Sequence, residues 1–215
     1  MPKQTVNLEL MQFVELNILP RYTEFDRAHN LSHVTSVIRR SLDIAERLGA
    51  DLNMAYCIAA YHDLGLEGPR AIHHITGGKI LAADARLKKW FSASEIRIMQ
   101  EAVEDHRASA SHEPRSLYGK IVAEADRDLS PETVFSRIVA FGLDNYPELP
   151  REQHWERFRE HVQNKYSSEG YIRLWLPNSP NADGLKQIRA INQDKKLLRE
   201  QFDKYFNEQT AAKNA

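Results

Sequence analysis

An all-α protein is the fold class this sequence predicts, and three observations lead there. Apolar residues recur at three- and four-residue steps along most of the chain, the spacing that lines one face of an α-helix. Sustained apolar and polar alternation, the mark of a half-buried strand, is almost absent. A content of 42% hydrophobic and 27% charged residues is that of a chain that folds around a core.

The first apolar row, Leu31, Val34, Ile38, Leu42, Ala45 and Leu48, predicts a helix capped by Asn30 or Ser32 and stopped by Gly49. The segment 52–64 is apolar or small nearly all round, which predicts a central buried helix. Ile72, Ile75, Ile80, Ala83 and Leu87 place a third helix over about 70–89, and Ile96, Met99 and Val103 a fourth over about 94–106. The small, polar, proline-bearing stretch 108–114 reads as a loop. A helix carrying Leu117, Ile121, Ala125 and Leu129 follows it, and Ser130-Pro131 fits a cap with a first-turn proline. Further helices are expected near 131–145, 151–166 and 182–207, parted by proline-bearing loops at 146–150 and 176–184. The last, with Ile188, Ile191, Leu198, Phe202 and Tyr205, either packs back or offers a partner surface, so a homo-oligomer stays open. No repeat of solenoid period interrupts this pattern.

Composition removes several function classes. A length of 215 residues fits a single domain, 1–215, with ample core. The net charge of −1 offers no bulk field for polyanions, so nucleic acid is not expected as the main partner. One cysteine, Cys57, excludes an intramolecular disulfide or a thiolate-rich metal site and points to a reducing, cytoplasmic compartment. The longest apolar run, 54–61, falls far short of the roughly 20 residues that span a bilayer, and the N-terminus opens no signal-peptide hydrophobic region.

Histidine carries the chemical signal. Seven of the nine (29, 33, 62, 73, 74, 106 and 112) fall within 84 residues, and only His154 and His161 lie in the other 131. In Tyr61-His62-Asp63-Leu64-Gly65 a histidine and an acid adjoin at the end of the buried helix. Neighbouring helical side chains diverge by about 100°, so the pair shares a metal only beside the helix terminus. The bland alternative is a hydrogen-bonded core histidine beside a solvated acid. Asp126 lies on the edge of an apolar stripe, where an ionised carboxylate needs a cation, strong donors or a salt bridge such as Arg127. His106 falls on the row of Ile96, Met99 and Val103, as a ligand or as a satisfied core histidine. His33 sits at the start of its helix as a ligand, and His29, cut off from the helix by an Asn30 cap, is a candidate to orient a ligand through a hydrogen bond. His73 and His74 precede two glycines, Gly77 and Gly78, which permit close approach of another backbone; either histidine could face the centre, or both could be exposed.

Taken in order, His33, His62-Asp63 and Asp126 resemble the H…HD…D pattern of the HD-domain superfamily of metal-dependent phosphohydrolases. The surrounding Asn30-Leu31-Ser32-His33, Ala59-Ala60-Tyr61-His62-Asp63-Leu64-Gly65 and Ile121-Val122-Ala123-Glu124-Ala125-Asp126-Arg127-Asp128 carry the resemblance over about 25–130. It implies a helical-bundle core there, with about 131–215 as a C-terminal helical extension. Some members add two histidines before the final Asp and hold a second metal; His73 and His106 stand where those fall, which implies Asp63 as a bridging carboxylate. The branch that cleaves cyclic dinucleotides carries Gly-Tyr-Pro after the fourth histidine, where this chain reads Arg107-Ala108-Ser109-Ala110-Ser111.

Imidazole and carboxylate ligands without thiolate suit one or two ions of Mn, Fe, Zn, Ni or Co better than Mg or Ca. The resemblance implies hydrolysis of a soluble phosphate mono- or diester, with a nucleotide as substrate class, His62 and Asp63 being central to catalysis. Such chemistry needs cations for the phosphate oxygens, and Lys79, Arg107, Arg115, Lys120 and Arg127 are the candidates near the motif. A regulatory HD module that binds a nucleotide or metal without turnover is the alternative.

Overall fold

The computed structural model describes residues 5–25, 29–110 and 112–214. Among these it has ten α-helices and several short 3₁₀ turns, with no strand. Position 111 of the expected loop and the first four residues lie outside the described residues. The chain divides into two compact units, Met1–Asp126 with Trp175–Pro177 and Arg127–Leu174 with Asn178–Ala215.

The first unit contains α1 (Leu8–Asn17), α2 (Leu31–Leu48), α3 (Leu52–Tyr61), α4 (His73–Ala83), α5 (Ala93–Asp105) and α6 (Leu117–Ala125). Helix α3 has no polar face, so neighbours must surround it, and α2, α5 and α6 do so together with α1 and α4. Leu52 and every residue from Met54 to Tyr61 are buried. Fully burying one side chain such as Ile58 contributes about 1.5–3 kcal/mol, and this row anchors the core.

The caps of α2 set the register of the site. The Asn30 side chain, rather than Ser32, accepts the His33 amide, and Gly49 ends the helix with φ 65°, a backbone conformation suited to glycine. His33 is therefore fixed in the first turn. Helix α3 stops at Tyr61, short of the expected 64, because His62 turns its ring back onto the Ala59 carbonyl; the chain continues as a 3₁₀ turn, Leu64–Glu67.

Where one helix was expected over 70–89, there is a 3₁₀ turn Arg70–Ile72, then α4, then a 3₁₀ turn Ala85–Lys89. Asp84 makes the break: its carboxylate accepts from the Arg86 amide and from the Tyr61 hydroxyl, so it favours a cap over a helical conformation. Helix α5 opens with a capping box between Ser92 and Glu95. Helix α6 ends at Ala125, which leaves Leu129 outside it. Helix α1 and the 3₁₀ turn Leu19–Glu24 have no counterpart in the sequence reading.

The second unit holds α7 (Pro131–Asn145), α8 (Arg151–Tyr166), α9 (Ala182–Gln193) and α10 (Lys195–Asn214). Ser130 caps α7 ahead of Pro131, as its sequence predicts. The helix expected over 182–207 is two, parted at Asp194, whose side chain takes the Lys196 and Leu197 amides. Gly184, expected in a loop, lies within α9 against the Leu129 carbonyl, where a Cβ would collide. Phe135, Phe158 and Phe202 pack as a ring cluster in this unit, with Trp155 against Phe158 and Phe202. No helix of the described residues is long and apolar enough to cross a membrane.

Candidate metal centre

Five helices of the first unit deliver six side chains to one place. His33 comes from the first turn of α2, His62 from the C-cap of α3 and Asp63 from the residue after it. His73 opens α4, while His106 and Asp126 are the C-caps of α5 and α6. Three helix C-termini bring partial negative charge beside the two carboxylates, against the partial positive charge of two N-termini, those of α2 and α4.

The six form two groups that share Asp63. On one side His33 Nε2 lies 3.2 Å from His62 Nε2, and Asp63 Oδ2 lies 3.4 and 3.1 Å from them. Asp126 Oδ1 joins this group, 3.2 Å from His33 Nε2 and 3.8 Å from His62 Nε2. On the other side His73 Nε2 and His106 Nε2 are 3.2 Å apart, and Asp63 Oδ1 lies 3.6 and 3.5 Å from them. The sets His33, His62, Asp63 and Asp63, His73, His106 are each compact enough to hold one ion.

Hydrogen bonds fix which nitrogen faces inward. His62 Nδ1 donates to Ala59 O at 2.7 Å, His73 Nδ1 to Arg70 O at 2.8 Å and His106 Nδ1 to Val103 O at 2.6 Å. Each bond runs to the carbonyl three residues back and leaves Nε2 directed at the cluster, the orientation that metal-bound histidines take. Two imidazole nitrogens 3.2 Å apart need something positive between or upon them. For comparison, ligand atoms about 2.0–2.1 Å from a tetrahedral ion stand roughly 3.3 Å from one another. The donor set fits a divalent cation.

Titration behaviour follows from the same crowding. Burial pushes Asp63 up, but His62, His106 and His33 outweigh it and hold the carboxylate well below its usual range. Asp126 is likewise lowered, against burial, by His33 and His62. Burial pulls His33 down, yet Asp126 and Asp63 carry it up to about 9. His106 rises for the same reason, through Asp63, while His73 falls to about 4 through burial and then the charge of His106. Solvent reaches the cluster unevenly: the His62 side chain is 0% exposed, that of His73 14% and that of Asp126 25%.

Close backbone contact joins the two groups. A Cβ on Gly65 would stand 1.8 Å from His73 O, and one on Gly77 3.1 Å from His62 O. Only glycine lets the turn after Asp63 lie on the first turn of α4.

The remaining candidates lie around this centre or apart from it. His29 sets its ring edge-on to His33, with centroids 5.8 Å apart, and its Nε2 lies 3.4 Å from Arg70 Nη2. His74 stacks its edge on His73 at 5.6 Å, and its pKa is lowered by burial, then by His106 and Arg107. Arg107 ties itself to Ala71 O just ahead of His73, at 2.7 Å. Arg115 is held by Asp105 and Glu104, Lys120 pairs with Glu113, and Lys79 is exposed on α4. Arg127 belongs to the second unit, where it donates to Arg173 O.

Two features escaped the sequence reading. Asp105, buried beside His106, receives the Arg115 guanidinium and amide. Tyr22 reaches the His62-Asp63 pair across 41 residues of sequence, and nothing near Tyr22 in the chain signals it.

Residues 30–129 match the HD domain family, a stretch that spans all six cluster residues. This stretch is an HD domain. The family is one of metal-dependent hydrolases, and the His and Asp cluster within the matched stretch is compatible with metal binding. A solved structure of a predicted HD superfamily hydrolase from an uncultured Thermotogales bacterium is 25% identical, covering 72% of this chain and 86% of that one at a TM-score of 0.48. No curated protein matches the chain.

Proposed function

We propose that this HD domain hydrolyses a soluble phosphate mono- or diester, with nucleotides as the substrate class, in the cytoplasm. One observation supports it above the rest: the two oxygens of Asp63 address two separate histidine groups, Oδ2 toward His33 and His62 and Oδ1 toward His73 and His106. In this reading His33, His62, Asp63 and Asp126 hold one ion, and Asp63, His73 and His106 a second, from the set Mn, Fe, Zn, Ni or Co.

A two-metal site supplies an activated water at neutral pH and braces the attacking and leaving oxygens of an in-line displacement. The chain's own residues do the rest. Asp63 and Asp126 stay ionised, the histidines keep Nε2 inward through their carbonyl bonds, and His62 closes the inner wall to water. Solvent reaches the cluster at Asp126 and His73, the side from which this reading brings the phosphoryl group. Arg107, fixed beside His73 through Ala71, and the exposed Lys79 are the cations the reading assigns to its oxygens.

The test is turnover of a panel of nucleotides and small phosphate esters by the parent and by His62→Ala and Asp63→Ala, at matched metal loading. The parent is expected to turn over at least one ester and each variant to lose 100-fold or more. A variant as fast as the parent refutes the site assignment. A parent that binds metal and nucleotide with no turnover on any ester marks a regulatory module instead.

A further inference from the structure

Helix α3 ends at the place where His62 and Asp63 must be held. The last carbonyls of a helix have no intrahelical partner and need one from outside. The Ala59 carbonyl is taken by the ring of His62. The next one, Ala60 O, accepts the hydroxyl of Tyr22 at 2.9 Å, and that same hydroxyl oxygen accepts the Asp63 amide at 3.3 Å. Tyr22 is 0% exposed, comes from the 3₁₀ turn Leu19–Glu24, and lies nearly parallel to the His62 ring at 6.5 Å.

We infer that Tyr22 is a positioning residue of the metal centre: one hydroxyl clamps the backbone on both sides of His62 and so sets the direction of the carboxylate that the two groups share. The hydroxyl has two jobs. It caps the last turn of α3, and it holds the Asp63 amide at the point where the chain leaves the helix. Losing it frees the Asp63 peptide to rotate, and a small rotation there moves Oδ1 and Oδ2 together, away from both groups of histidines. The inference rests on the metal-centre reading above and concerns how that centre is built.

The experiment compares Co²⁺ binding by the parent, Tyr22→Phe and Tyr61→Phe, followed by titration and by the visible absorption of the ion. Tyr61→Phe is the control, because it also deletes a hydroxyl of a fully buried tyrosine, one bonded to Asp84 rather than to the motif. Tyr22→Phe is expected to bind 10- to 100-fold more weakly, the usual cost of losing a group that orients a ligand, with shifted absorption bands; Tyr61→Phe is expected to match the parent. Equal binding by Tyr22→Phe and the parent overturns the inference while leaving the metal centre standing, and so does equal weakening of both variants. A parent that binds no Co²⁺ overturns the metal centre and the inference with it. Amide exchange in the unaltered chain tests the clamp without any substitution: the Asp63 amide should exchange as slowly as the buried amides of α3. Exchange as fast as that of the exposed Gly68 overturns it.

Discussion

At the residue scale, the cluster is a competition between protons and a metal ion for the same lone pairs. His33 titrates at about 9, against 6.5 for a free imidazole, because Asp126 and Asp63 outweigh its burial. A folded-state pKa raised this way gives metal-free protein a stabilisation that is complete below pH 6.5 and lost as pH rises through about 9. The ion needs His33 neutral, so its binding displaces that proton. Metal affinity is therefore expected to climb between pH 6.5 and 8.5, with about one proton or more released per chain at pH 7. Calorimetry in two buffers of different ionisation heat counts the protons, and an affinity flat across that range would refute the assignment of His33 as a ligand. His73, already neutral down to about pH 4, adds nothing to this release.

At the scale of elements, the site depends on one close contact, between the turn after Asp63 and the start of α4. Gly65→Ala is expected to destabilise the protein by about 1–3 kcal/mol, the usual cost of overpacking, and to weaken the group of Asp63, His73 and His106 before that of His33 and His62. Urea unfolding and metal content measure both effects. Gly68→Ala is the control, since its Cβ would meet nothing nearer than 3.6 Å; a Gly65→Ala protein as stable and as fully loaded as that control would show that the contact does not build the site. Much of this scale was legible in the sequence, because helices with a local cause announce themselves: Asn30 and Gly49 bound α2, and Ser130-Pro131 opens α7. The residues that converge were legible too, through the order and spacing of His33, His62-Asp63, His73, His106 and Asp126. Breaks at Asp84 and Asp194 were not, since an apolar row runs on past an aspartate whose side chain turns back to cap the next segment. The part played by Tyr22 was hidden for another reason: its partners are main-chain atoms, and any residue type at positions 60 and 63 would offer them.

At the scale of the whole molecule, side chains drawn from five helices would make metal binding part of folding. Such a set exists only when α2 to α6 are all in place, so an ion that binds the native chain and not the unfolded one stabilises it by RT ln(1 + [M]/Kd), about 2.7 kcal/mol at a hundredfold excess over Kd. For a chain of 215 residues this converts to a rise in Tm of roughly 5–10 °C. The rise is expected in the transition of the first unit, which holds all six cluster residues, followed by calorimetry. Chelation should reverse it, and adding back the metal should restore it. If the histidines and acids serve only to fill and bond the core, the chain should instead melt at one temperature with or without chelator. The direction follows from charge: without an ion, two carboxylates and four imidazoles crowd one volume, and protons on His33 and His106 help to offset the repulsion between Asp63 and Asp126. Raising the pH from 7 to 9 begins to strip the His33 proton from chelated protein, so the gap in Tm between loaded and chelated forms is expected to widen with pH. A gap that narrows over that interval would mean the acids are neutralised by something other than these histidines.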